Sequence, residues 1–216
     1  MKTGMNVHEI LGRHMLTDGM DLVMDLDRSH GSWIVDQRDG TEYLDLYSMY
    51  ASQAIGYNHP KMLELSDELT RAATQKPICS DVYTVEMARF MEVFERVAMP
   101  TYLPHAFFIE GGALAVENAL KAAFDWKTRF NLVFGKDDVH ADMIMHFKEA
   151  FHGRSGYTLS LTNTYNPDKT KFFPKFNWPR IDNPKLRFPV DPAEVQRVSE
   201  TEAQALDQVK QAIHQY

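Results

Sequence analysis

The chain has 216 residues, of which 44% are hydrophobic and 25% charged, so it can bury a real core, folds as one or two domains and is not a disordered tail. Its formal net charge of -7 comes from scattered carboxylates, which argues against a nucleic-acid-binding surface and favours small-molecule chemistry. One cysteine, Cys79, excludes an internal disulfide framework or a multi-cysteine zinc site, and it reads as a small buried apolar residue.

No apolar h-region opens the chain, and no run approaches the roughly 18 apolar residues that span a bilayer, so the cytosol is the expected location. A short helix is expected around residues 8–14. "SWIVDQRDGTEYLDLYS" then places two alternating apolar runs on either side of Asp39-Gly40, the residues of a tight hairpin turn. Asn58, His59 and Pro60 mark a helix start, with Met62, Leu63, Leu65 and Leu69 following. Met87, Phe90, Met91, Phe94 and Val97 form a second helical stripe over residues 85–97, and both stripes are expected to face a core.

Further on, "HAFFIE" reads as a strand, residues 113–126 as a helix and "ADMIMHF" as another strand, an order that predicts an α/β layer with a parallel sheet. Residues 165–192 carry six prolines among aromatics and predict an ordered but irregular connection. A polar helix ends the chain, with Leu206, Val209 and Ile213 on one face. With no strand after it, the α/β layer is expected to be cut short.

Two stretches carry chemistry. "EGGALAVENALK" puts Gly111 and Gly112 between strand and helix, where missing side chains let an anion reach backbone N–H groups at the positive end of the helix dipole. It contains neither G-x-G-x-x-G nor a P-loop, and a plain turn is the competing reading. Glu117 and Lys121, at i,i+4, read as a solvated pair. His140, His146 and His152 recur every six residues, a spacing that does not favour a metal site. In "FHGRSG", just past the second expected strand, Phe151 reads either as core packing or as a face for a flat ring, and Arg154 either as a surface salt-bridge partner or as a fork for a carboxylate. The position beyond a strand's carboxyl end favours a ligand site.

"GSWIVD", "YLDLYSMYASQAIGYNHP", "KPICSDVYTVEMARF", "FFIEGGALAVENALKAAFDWK", "FHGRSGYTLSLTNT" and "FPKFNWPRID", in this order over residues 29–182, resemble the amino-terminal part of the class III pyridoxal-phosphate-dependent aminotransferases, and most closely those that act on lysine. The resemblance implies an α/β chain of fold type I, aspartate-aminotransferase-like and incomplete. Residues 1–60 would form an amino-terminal segment of the small domain, and residues 61–216 a partial large domain.

The same resemblance implies that Gly112 and Ala113 bind the phosphate of pyridoxal 5'-phosphate through their amides, with Gly111 shaping the turn. It further implies that Phe151 lies against the cofactor ring with His152 beside it, and that Arg154 anchors a substrate carboxylate. The implied reaction moves the ε-amino group of L-lysine to 2-oxoglutarate, giving glutamate and 2-aminoadipate 6-semialdehyde, in a cytosolic homodimer. The family's Schiff-base lysine has no counterpart here. Lys121, Lys148 and Lys175 stand in other contexts, so the 216 residues alone are expected to be inactive. The competing expectation is a non-catalytic piece that requires a carboxyl-terminal partner.

Overall fold

A computed structural model describes residues 6–136, 141–163 and 166–216. The chain forms two compact units, Met1–Tyr102 and Leu103–Tyr216.

In the first unit the helix α1 (Val7–Gly12) begins at Asn6, whose side chain accepts the Glu9 amide. The hairpin pairs β1 (Trp33–Val35) with β2 (Glu42–Leu44), antiparallel, in the register Ile34 opposite Tyr43. The expected hairpin is present, but the turn is not a tight two-residue one. Asp36 N–H bonds the Thr41 carbonyl, and of Asp39 and Gly40 only Gly40 takes a positive φ, 82°. Asp36, 1% exposed, instead organises the loop by accepting from Arg38 Nη2 at 2.6 Å. That guanidinium holds its carboxyl below the usual aspartate range. Gly31 and Tyr57 exchange backbone hydrogen bonds, and a Cβ on Gly56 would lie 2.3 Å from the Gly31 carbonyl oxygen. Only glycine permits that approach.

Between hairpin and bridge lies a single left-handed turn, α2 (Ser48–Ala51), with positive φ at all four residues. Asp45 braces its entry by accepting from the Tyr47 and Ser48 amides and from the Tyr57 hydroxyl at 2.7 Å. The helices α3 (Pro60–Glu64), α4 (Ser66–Ala73) and α5 (Val85–Val97) follow, with His59 and Thr84 as side-chain caps. None of the three buries a residue. Their apolar stripes therefore form at helical spacing as expected but do not face a core within the described residues. Cys79 is likewise half-buried rather than buried, and the amides of Asp81 and Val82 draw its thiol below the ordinary value.

The second unit is built on α6 (Gly112–Val133), the parallel pair β3 (His146–Phe147) and β4 (Arg180–Ile181), the short α7 (Gly156–Leu161) and the long α8 (Pro192–Gln215). The parallel α/β reading holds, with different strands from those expected. Residues 105–110 form no strand, the second expected strand shortens to His146–Phe147, and its partner β4 comes from the proline-rich stretch. Hydrophobicity selects candidate strands, whereas only a partner's ladder of hydrogen bonds makes one.

Leu120, Leu161 and Trp178 form the core, with Val116, Phe124, Ile144 and Tyr157 packed against it. Phe176 stacks on Trp178 at 4.8 Å, and the Trp178 indole N–H donates to the Asp142 carbonyl. Burying each Leu side chain contributes about 1.5–3 kcal/mol. The helix α8 is capped by Asp191 and tied to β4 by Gln208, whose amide group accepts from Asp182 N–H and donates to Asp182 Oδ2. Its buried residues are Val198 and Ala205. Leu206 and Ile213 are exposed, so the apolar face they share is not the one that packs inward.

Candidate functional site

The second unit brings the two chemistry-bearing stretches together. The helix α6 starts at Gly111, with φ 83° and ψ 149°, and no side chain caps it. Among the described residues no side chain accepts from the N–H groups of its first turn. A Cβ built on Gly111 or Gly112 would meet nothing within 4 Å, so open space lies in front of the turn. Twenty-two residues of aligned peptide dipoles end there.

The other stretch descends from β3 and folds over this helix end. Gly153, with φ 112°, lies so close to α6 that a Cβ on it would stand 2.5 Å from Ala113 Cβ and 2.9 Å from Ala113 Cα. Buried Thr162 closes the loop from inside, accepting from His152 N–H at 2.9 Å and donating to the Gly153 carbonyl at 2.7 Å. Asn163 N–H adds a bond to the Ala150 carbonyl. At the loop's far end Ser155 is the N-cap of α7, and its own N–H donates to Thr158 Oγ1 at 3.0 Å.

Phe151 is 65% exposed and so is not a core residue. The Arg154 guanidinium lies over its ring at 5.7 Å, and among the described residues no carboxylate pairs with it. An exposed aromatic face and an available planar cation thus stand on the loop that touches Ala113.

Glu117 overturns its reading as a solvated helix pair. It is 7% exposed and, from one turn into α6, its Oε1 accepts from the Ser155 hydroxyl at 2.7 Å, from Tyr157 N–H at 2.7 Å and from Thr158 N–H at 3.4 Å. Burial raises its proton affinity, but these three bonds, together with the charge of Lys121, outweigh burial and hold the carboxyl below the usual glutamate range. Neither Glu117 nor Gly153 stood out in the sequence beyond a charge pair and a loop glycine. Ser155 ahead of "GYTLSL" was the one local signal of a helix start.

Lys148 is paired with Asp182 at 2.6 Å, and Lys175 donates to Thr170 Oγ1 at 3.2 Å. His146 is buried on β3, with Nδ1 3.1 Å from the Ile144 carbonyl and Nε2 without a partner among the described residues. His140 lies outside the described residues. Among those described, no cluster of His, Cys, Asp or Glu is placed to hold a metal ion, and no helix is long and apolar enough to cross a membrane.

A model of the aminotransferase class-III family matches residues 16–216. The L-lysine-epsilon aminotransferase of Mycobacterium tuberculosis (strain ATCC 25618 / H37Rv) is 55% identical over 210 residues, covering 95% of this chain and 46% of that protein. The enzyme of the same name from Streptomyces clavuligerus is 49% identical over 96% of this chain and 45% of its own length. The solved lysine aminotransferase from M. tuberculosis in the internal aldimine form superposes with a TM-score of 0.88 at 53% identity, over 97% of this chain and 48% of that one. A transaminase from the marine bacterium Virgibacillus, at 18% identity and a TM-score of 0.70, shares the fold. The chain therefore spans about half the length of the curated relatives it matches.

Proposed function

Since this chain belongs to the class III aminotransferases, we propose that it forms the part of a pyridoxal-phosphate-dependent lysine 6-aminotransferase that seats the cofactor's phosphate and grips the substrate carboxylate. The observation that carries this reading is the contact of Gly153 with Ala113, which sets the Phe151–Arg154 loop directly on the uncapped end of α6. The names of the relatives at 49% to 55% identity support lysine as amino donor, and 2-oxoglutarate is the acceptor in this reading.

The residues fit the cofactor. A phosphate dianion is held by amides of the Gly112–Ala113 turn, stabilised by the helix dipole, while Gly111 supplies a positive φ that a side chain would disfavour. The exposed Phe151 ring offers a face to a flat heterocycle, and His152 follows it with its amide fixed by Thr162. When bound, pyridoxal phosphate supplies a carbonyl that takes up an amino group and a conjugated ring that disperses the released electron pair. Arg154, with its planar fork, binds a carboxylate through paired charge-assisted hydrogen bonds. L-Lysine, glutamate and 2-oxoglutarate each present such a carboxylate, so one cation serves both halves of the exchange. Residues 1–60 serve as an amino-terminal segment of the small domain and residues 61–216 as part of the large one, in a cytosolic homodimer.

The test is transamination by this chain extended with the carboxyl-terminal half of the M. tuberculosis relative. L-Lysine and 2-oxoglutarate should yield glutamate. An extended protein that binds pyridoxal phosphate yet transfers no amino group from lysine would refute the donor assignment.

A further inference from the structure

We propose that Glu117 is a positioning residue that latches the Phe151–Arg154 loop onto the phosphate-seating end of α6. Ala113 and Glu117 lie four residues apart on α6 and so share one face of the helix. Both points of that face are occupied by the same loop. Ala113 meets Gly153 at the upper point, and one turn below Glu117 takes the Ser155 hydroxyl and the amides of Tyr157 and Thr158. Arg154 sits in sequence between Gly153 and Ser155, so the backbone on each side of it is fixed to α6.

The carboxylate also completes α7. The first amides of a helix have no intrahelical partner, and here two of them are satisfied by a side chain 40 and 41 residues away. A six-residue helix is too short to persist through its own cooperativity, so its placement depends on contacts outside it, and the Glu117 carboxylate holds its first turn while Thr158–Leu161 are buried beneath. Glu117 touches neither Phe151 nor Arg154 in the contacts described, and it acts through the backbone. This role rests on the proposed site for what the loop grips, while the latch itself is a matter of loop order and can be measured separately.

The experiment is hydrogen exchange of the 216-residue chain, resolved at Tyr157 and Thr158, for wild type, Glu117→Ala, Glu117→Gln and Glu117→Asp. Removing a charged acceptor should raise exchange at these two amides by roughly 10-fold or more. The Gln variant, which keeps an oxygen acceptor at the same reach, should recover much of the protection. In the extended enzyme, Glu117→Ala should raise KM for both L-lysine and 2-oxoglutarate by roughly 10-fold with a smaller change in kcat.

Unchanged exchange in all variants overturns the latch. Loosened amides in Glu117→Ala with recovery in Glu117→Gln support it, even if Arg154→Ala proves silent toward both carboxylates, a result that would overturn the proposed site instead. Should Glu117→Ala fail to fold, the Asp variant decides, since it keeps the charge but is one methylene too short. Loosening confined to residues 155–159 supports the latch, and wild-type exchange there overturns it.

Discussion

Gly153 shows how one residue type can set a site. Its φ of 112° and the 2.5 Å separation between a built Cβ and Ala113 Cβ exclude any side chain without movement of the loop or the helix. Gly153→Ala should cost about 1–3 kcal/mol of stability from the backbone conformation alone, read as a lower denaturation midpoint. It should also weaken phosphate binding, because the loop lifts from the α6 end. Unchanged stability and unchanged phosphate-induced NMR shifts at Gly112 would contradict this. Arg154 makes a different prediction. Arg154→Ala in the extended enzyme should lower kcat/KM by roughly 10- to 150-fold for both carboxylate substrates, as expected for losing about 1.5–3 kcal/mol of charge-assisted hydrogen bonding. Lysine there should restore only part of it, because a point charge lacks the paired geometry. Normal kinetics with both substrates would return Arg154 to an ordinary surface cation. At this scale the sequence revealed residue types but not partners. Phe151, Arg154 and the Gly-Gly turn stood out because few structural demands put those residues together. Glu117 was misread because its partners lie 38 to 41 residues away, beyond any local pattern.

Elements whose cause is local were the legible ones. The stripe over Val85–Val97 is a helix with those bounds, capped by Thr84, and Gly40 turns the hairpin even though its loop is longer than two residues. Elements whose cause is distant were not. Residues 105–110 carry a strand's composition without a ladder, while β4 arises amid prolines because Pro179 and Ile181 present carbonyls to His146 and Lys148 amides. The pair β3–β4 leads to a prediction on pH. His146 is buried on β3, and burial above all lowers its proton affinity below the ordinary value of 6.5, with the nearby Arg180 charge acting in the same direction. A depressed folded-state value means that its contribution to stability is complete above about pH 6.5 and is lost as pH falls from there through the folded value. His146→Leu should flatten the acid side of the stability curve relative to wild type. Parallel curves for the two proteins over that window would show that His146 is not a titrating element of the fold.

At the scale of the chain, the described residues hide little apolar surface within either unit. The buried apolar residues among those described are few, Ile34, Val35 and Tyr57 in the first unit and chiefly Leu120, Leu161 and Trp178 in the second. Meanwhile Phe107 is 73% exposed, Trp126 64% and Val97 69%. Single exposed apolar side chains are ordinary, but Met62, Leu63, Leu65 and Leu69 are exposed together, a pattern typical of surfaces that other protein covers. Such surface was legible in the sequence as stripes at the right spacing, whereas what covers them was not, because a stripe specifies a face and not its partner. The 216-residue chain should therefore associate as its concentration rises, more strongly in sulfate, which strengthens apolar burial. It should also bind a dye that fluoresces on apolar surface. Adding the carboxyl-terminal half of the M. tuberculosis relative should quench that fluorescence and sharpen thermal unfolding, since burying about 25 cal/mol of driving force per Å² stabilises whatever is covered. Sedimentation velocity with dye binding checks this. A monomer at every concentration, dark with the dye and unfolding in one sharp transition by itself, would show that these stripes need no cover and that the chain's stability comes from within.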